Sequence, residues 1–258
     1  MTPILVLGAP RTGTSCVAGM LAAGGARVPG AAVRNWDNAH GHFEATAAVR
    51  LSDRVLSLSG GSWMQAPATL AWDAEAEAER DRLLQPVDGQ PALLKDPRML
   101  LCWPFWSGGG QELRLIGTVR HPLAAARSMS AWRRIGIDDG LRLWLAHARV
   151  LLELARSAGV PLVDIDAEPA AFLARMDALA PPGFDRAAMA AHYDPRELHH
   201  DGDGATGDVL AEALAVHAAM LALLPPSGRR NGAAYPRAAL ERIRALLERG
   251  DPTAAVAL

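Results

Sequence analysis

Cysteine is nearly absent. The 258-residue chain has two, Cys16 and Cys102, both in apolar surroundings, so a disulfide framework is not expected and a reducing compartment is. Long hydrophobic runs are missing as well, since no segment approaches the roughly 20 apolar residues of a membrane span. The amino end enters an apolar strand at once, with no basic region or cleavage site to mark a leader. These absences predict a cytoplasmic protein with no membrane span. Charge of one sign is not in excess either: a formal net charge of −2 gives no electrostatic ground for a nucleic-acid or anionic-membrane partner. Neither internal repeats nor a second domain can be discerned, so residues 1–258 are expected to form one domain. What is present is ordinary for a globular chain: 50% hydrophobic and 21% charged residues, enough to fill a sizeable α/β core. The abundance of alanine, arginine and proline has the look of GC-rich bacterial coding. Arginine far outnumbers lysine, which makes Lys95 stand out.

One further absence is chemical. Residues 8–15 read Gly8-Ala-Pro-Arg-Thr-Gly13-Thr14-Ser15, with the spacing of the phosphate loop G-x-x-x-x-G-K-[ST] but with threonine where nucleotide kinases keep lysine. The apolar run Ile4–Leu7 leads in as a buried strand and a helical pattern over 14–23 leads out. Glycines let the backbone curl so that successive N–H groups face one anion at a helix N-terminus. A nucleoside triphosphate uses the missing lysine to span its terminal phosphates. The loop is therefore expected to hold a phosphate-like oxyanion that is not necessarily part of a triphosphate.

Apolar runs of strand length fall at 4–7, 92–94, 113–119 and 161–165, with a short fifth at 26–28. None alternates cleanly, as expected of parallel strands covered on both faces. Helical patterns lie between them, over 14–23, 45–58, 74–84, 123–134, 140–157 and 167–179. The expectation is a three-layer α/β fold of phosphate-loop type, with a central parallel sheet of about five strands flanked by helices. A helical C-terminal part follows, over 209–224 and 236–248. The stretch over 74–84 reads as a charged surface helix. Residues 196–208 read as a polar, glycine-rich loop whose aspartates miss calcium-loop spacing.

Three segments fall where a sheet of this kind gathers its ligands, at the carboxyl ends of strands. Arg120 leaves the third strand and Ser128 lies under two helical turns on, so a guanidinium and a hydroxyl are expected to meet on one phosphate group. Lys95 ends a buried strand and would supply, from outside the loop, the charge that the loop lacks. Asp96, followed by Pro97, reads as a helix cap. Glu44 has two readings from spacing alone, a general base reaching back toward the loop or a residue in the first turn of the next helix. His40 and His42 have no third ligand suggested nearby, so no metal site is expected.

Together these segments resemble the sulfotransferases that use 3′-phosphoadenosine 5′-phosphosulfate (PAPS), in particular the bacterial branch related to the Golgi and tyrosylprotein enzymes. The resemblance runs over residues 3–166. Pro10, Arg11, Thr12, Gly13, Thr14 and Ser15 match that family's 5′-phosphosulfate loop, with Arg11 where its cytosolic members carry lysine. Arg120 and Ser128 match its 3′-phosphate element, the segment at 95–97 the one carrying a catalytic lysine, and Glu44 its glutamate base. Arg229-Arg-Asn-Gly232 at best echoes a C-terminal arginine-lysine-glycine element of the cytosolic members, so Arg229 and Arg230 read first as charges on an exposed turn and second as cofactor contacts. Trp63 would stack on adenine or pack in the core.

What the resemblance implies is transfer of a sulfuryl group from PAPS to a hydroxyl, or an amine, of a small-molecule or glycan acceptor, with no metal required. A sulfuryl group carries a single negative charge, so a divalent cation is less in demand than in phosphoryl transfer. The alternatives are a phosphate-loop kinase, which must explain Thr14, and a non-catalytic protein that binds PAPS or its desulfated product. Tryptophans at 36, 63, 72 and 132 would line an acceptor cleft or pack in the core. Nothing in the sequence fixes the oligomeric state.

Overall fold

The computed structural model describes residues 1–32, 43–194 and 207–225. Four strands, β1 (Ile4–Leu7), β2 (Leu93–Lys95), β3 (Arg114–Val119) and β4 (Leu162–Asp164), form one sheet in the order β2-β1-β3-β4. Every pairing is parallel, with Val6 opposite both Lys95 and Ile116, and Val119 opposite Asp164. The first strand in the chain is thus central, and all four of its side chains are wholly buried. Ile4 and Val6 point into one apolar layer with Val17, Met20, Phe172 and Met176. Leu5 and Leu7 point into the other, with Leu51, Met99, Trp106, Trp144 and Leu214. That two-sided burial is why the strands show no apolar–polar alternation.

The fifth strand expected at 26–28 is reduced to a single parallel bridge between Arg27 and Ala92. Gly25 and Gly30, at φ 132° and 66°, bound the segment in backbone conformations that leave a sheet ladder, so three residues are too few to extend it. The sheet therefore has four strands among the described residues, not five.

Helices α1 (Thr14–Gly24), α8 (Pro169–Leu179) and α9 (Arg186–His192) contribute to the first apolar layer. On the other face lie α2 (Thr46–Leu58), α3 (Ala74–Leu83), α4 (Arg98–Leu101), α5 (Trp103–Ser107), α6 (Pro122–Arg133), α7 (Ile137–Ser157) and α10 (Asp208–Leu221). Helix α7 starts three residues before its expected start, with Asp138 and Asp139 in a first turn that favours negative charge. Helices α4, α5 and α9 have four, five and seven residues, too few for a 3.6-residue period to declare itself in sequence.

Helix α3 is mostly exposed, yet its Arg80 is buried. Its Nη1 donates to Phe105 O at 2.8 Å, and the guanidinium carbon stands 5.2 Å from the centre of the Phe105 ring. Among the described residues no helix is long and apolar enough to cross a membrane. The expected helix over 236–248 lies outside the described residues, as do 196–206 of the polar loop and most of the turn around Arg229 and Arg230.

Candidate functional site

Two left-handed residues, Arg11 at φ 66° and Gly13 at φ 79°, curl the segment between β1 and α1. Thr12 fixes the curl from within: its buried hydroxyl donates to Ala9 O at 2.7 Å and lies 2.8 Å from Thr118 Oγ1. Its amide is 3.3 Å from Ala9 O, so Thr12 shapes the loop through both polar groups. Gly8 is required by packing, since a Cβ there would lie 2.1 Å from Thr118 Oγ1. The curl delivers the chain into α1, which begins at Thr14 with no side-chain cap and no acidic residue in its first turn. Such a helix start presents positive potential and N–H groups to an anion. Pro10 and Thr14 are buried in the loop, and Ser15 is half-buried on the first turn of α1.

Lys95 closes β2 next to β1, and it is the only lysine in the chain. Its side chain is 2% exposed. Nζ lies 3.1 Å from Ser15 Oγ and 2.6 Å from Glu44 Oε1, so the ammonium stands at the first turn of α1. Burial holds this ammonium below the usual lysine range, against the pull of Glu44 and of Asp96; Arg11 adds to the lowering. Glu44 lies just before the N-cap of α2, at Ala45, and so outside that helix's first turn. Its half-buried carboxylate is committed to Lys95.

Behind the ammonium runs a line of alternating charge. Asp96 is wholly buried, and its Oδ1 accepts from the amide of Arg98 at 3.1 Å and from Arg98 Nη1 at 2.8 Å. Arg98 reaches on to Asp53 of α2, Nε to Oδ1, at 2.7 Å. Asp96 thus accepts from the first amide of the short α4, while the N-cap position itself is taken by Pro97, one residue after the cap expected from sequence. Burial, opposed by Arg98, pushes its carboxyl up to about 6. Asp96 Oδ2 has no hydrogen-bond partner among the described residues.

The other side of the loop is cationic too. Arg120, leaving β3, donates from Nη1 to Arg11 O at 3.2 Å, with its Nε 3.6 Å from Asp166 Oδ1. Arg11 Nε donates to Ser128 Oγ at 2.8 Å. Arg120 and Ser128 are thus tied to the same loop residue, one to the backbone and one to the side chain of Arg11. Asp166, just past β4, also accepts from the amide of His121 at 2.7 Å. Sequence reasoning passed over this carboxylate; the signal for it was its position at a strand's carboxyl end.

The tryptophans divide. Trp72 packs edge-on to the buried Phe105 at 5.6 Å, and both it and Trp63 are partly buried against the larger core. Trp63 and Trp132, both half-buried, meet edge-on at 6.4 Å, with Arg11 5.8 Å from the centre of Trp132 and Arg133 4.0 Å from it. Cys102 is buried, with burial pushing its thiol up to about 12, which leaves it no nucleophilic role at neutral pH. Arg229, Arg230, Trp36, His40 and His42 lie outside the described residues.

The site therefore brings together a curled loop at an uncapped helix start, an ammonium delivered from the neighbouring strand, a carboxylate on that ammonium, and two arginines with a serine on the far side. Chemically, such a set can hold two anionic groups, stabilise negative charge on one of them, and accept a proton beside it.

No family model matches the chain, and no curated protein does. Among solved structures, the sulfotransferase domain from the Synechococcus PCC 7002 olefin synthase is similar, with a TM-score of 0.48 at 17% identity, over 96% of this chain and 94% of that one.

Proposed function

We propose that this protein is a sulfotransferase that moves a sulfuryl group from PAPS to a hydroxyl of an organic acceptor, an amine being the other acceptor in keeping with the site. One observation carries the reading: the lone lysine, absent from its place in the loop, reaches the loop from β2 and meets Ser15 at 3.1 Å and Glu44 at 2.6 Å. A loop of this shape with a borrowed ammonium suits a donor whose reacting group bears one charge and whose leaving group is a phosphate.

The residues present fit such a donor. The start of α1, with Arg11, Thr14 and Ser15, receives the 5′-phosphosulfate. Arg120, Ser128 and the Arg11 guanidinium lie where a second phosphate, the 3′ group, would be held. The acceptor oxygen forms a bond to sulfur as the bond between sulfur and the bridging oxygen breaks. Lys95 stabilises the charge that develops on that oxygen, and Glu44 takes the acceptor's proton. Glu44 and Lys95 hold each other at 2.6 Å; when Lys95 turns to the leaving oxygen, Glu44 is released for its task. A small molecule or a glycan would be the acceptor, received beside Trp63 and Trp132.

The test is differential binding followed by transfer. Adenosine 3′,5′-bisphosphate is expected to raise the melting temperature; at a hundredfold excess over its Kd a ligand adds about 2.7 kcal/mol. ADP, without the 3′-phosphate, is expected to add much less. A shift with ATP and magnesium alone would sink the assignment in favour of a kinase. Bisphosphate binding without transfer of labelled sulfuryl to anything in a glycan and small-molecule panel would make the protein a binder and not an enzyme.

A further inference from the structure

Helix α1 carries a second device on the face that meets Lys95. Gly19 stands one helical turn beyond Ser15, on the same stripe of the helix. A Cβ at Gly19 would lie 2.0 Å from His192 Nε2 and 2.9 Å from Phe43 Cε2, so both rings sit directly on the bare backbone of α1. The rings also touch each other edge-on, with centroids 5.7 Å apart. His192 is the last residue of α9, and the following Tyr193 is anchored by its ring against the buried Phe172 at 4.6 Å. The histidine is thus fixed by two other helices, α8 and α9, of the layer to which α1 belongs.

Phe43 is unusual in its backbone. It adopts φ 53°, a left-handed conformation that a bulky side chain avoids unless its surroundings impose it. Here the imposing contacts are Gly19 and His192. The residue after Phe43 is Glu44, whose carboxylate lies 2.6 Å from Lys95. A closed ring results: Ser15 touches Lys95, Lys95 touches Glu44, Glu44 follows Phe43, and Phe43 returns to Gly19 on the helix that began at Ser15.

We propose that Phe43 and His192, seated on Gly19, are positioning residues: they hold residue 43 in its left-handed turn and thereby aim the Glu44 carboxylate at Lys95. The catalytic consequence rests on the reading of Glu44 as base; the geometric one does not. Loss of the seat lets residue 43 relax and swings Glu44 off the ammonium, while the phosphate loop, on the far side of α1's first turn, is left as it was.

Because the chain has a single lysine, lysine labelled with carbon-13 at Cε gives one side-chain resonance, and its pH titration reports the surroundings of Lys95 directly. Those surroundings include two carboxylates, Glu44 and Asp96, that favour the ammonium, and Arg11, which opposes it. Glu44→Gln sets the reference for a site without its carboxylate, with a midpoint below wild type, since removing an anion disfavours the charged form. His192→Ala and Gly19→Ala are expected to move the Lys95 midpoint down toward that reference. They should also lower kcat, by up to about 10²-fold for a displacement of roughly 1 Å, with the donor KM and the affinity for adenosine 3′,5′-bisphosphate unchanged. His192→Phe, which keeps a ring on Gly19, is expected to restore both readings.

A wild-type Lys95 midpoint in folded, bisphosphate-binding His192→Ala would overturn the proposal. Gly19→Ala adds bulk to the core and is a second probe only, so His192→Ala decides if Gly19→Ala does not fold. Should Glu44→Gln keep wild-type turnover, the base assignment fails, and the Lys95 midpoint still decides whether the seat aims the carboxylate.

Discussion

Replacing Lys95 by methionine and Glu44 by glutamine, singly and together, separates what this pair does for the fold from what it does for the chemistry. The lysine is 2% exposed and the glutamate 17%, with 2.6 Å between charged atoms. Removing one member of a fully buried pair is destabilising by about 3–5 kcal/mol, because the other is left charged and unpaired. The two halves are not equivalent here. Glu44 keeps some access to water, so Lys95→Met is expected to destabilise by only about 1–2 kcal/mol, methionine filling the space of the lysine stem. Glu44→Gln leaves an ammonium with almost no exposure, and about 2–3 kcal/mol is expected. The double variant has no stranded charge and should be no worse than about 1–2 kcal/mol below wild type, a coupling energy of about 2–3 kcal/mol. Urea unfolding at neutral pH, with m-values compared to confirm that all four proteins expose the same surface, measures each corner of the cycle. Turnover should be lost at every corner but wild type, so the double variant would be nearly as stable as wild type and inactive. Additivity within about 0.5 kcal/mol would show that the pair is not formed in solution. Wild-type turnover in Lys95→Met would remove the ammonium from the reaction altogether.

The remaining expectations concern the loop, the second anion site and pH. Arg120→Ala should weaken binding of adenosine 3′,5′-bisphosphate by about 10- to 100-fold, the loss of one or two charge-assisted hydrogen bonds, and should barely affect ADP; equal losses for both ligands in calorimetry would deny it a 3′-phosphate role. Gly8→Ala drives a methyl group to 2.1 Å from Thr118 Oγ1 and 2.7 Å from Thr12 Oγ1, so it should abolish bisphosphate binding; Thr118→Ala in the same chain removes the nearest clash and should restore binding in part, and no difference between the two would argue against the tight loop. Burial raises the Asp96 carboxyl from 3.8 to about 6 in the folded state, so its contribution to stability is fully present below pH 4 and is lost as pH rises through 6. Burial lowers His147 from 6.5 to about 4, so its contribution has the opposite sense, full above pH 6.5 and lost as pH falls toward 4. Each shift amounts to about 3 kcal/mol at roughly 1.4 kcal/mol per unit, and wild type should show little net slope between pH 4 and 6.5 from these two groups. Asp96→Asn should then lose stability steeply on acidification and His147→Met should gain it, both read by urea midpoints across that range; parallel pH profiles for the two variants would contradict the assigned burial.

How much of this was written in the sequence depends on the range over which each signal acts. The phosphate loop, its strand and its helix lie within twenty-one consecutive residues, and spacing, glycine content and apolar run placed all three. The central strands were legible for the same reason, as was a helix start beside Asp96, although its N-cap is Pro97. What sequence could not show is which distant groups share an atom. Arg120 and Ser128, eight positions apart on a strand end and a helix, were expected to converge on a ligand; that both also meet Arg11, Ser128 through a side chain 117 residues away in sequence, had no sequence signal. Asp166 was passed over because its one signal, a place just past a strand's carboxyl end, gains a partner only when the strand order brings it beside Arg120. The fifth strand failed for the opposite reason: Ala26, Arg27 and Val28 are only three residues with an exposed arginine in the middle, and the glycines on either side bend the backbone away from β2. Phe43 is the hardest case. Nothing in its identity announces a left-handed backbone, and the reason for it, the missing side chain of Gly19, lies in another element. Sequence thus specifies the parts that each segment can make alone. Closure of the ring from Ser15 through Lys95 and Glu44 back to Gly19 is a property of the packed layers, and it is there that the site acquires its carboxylate.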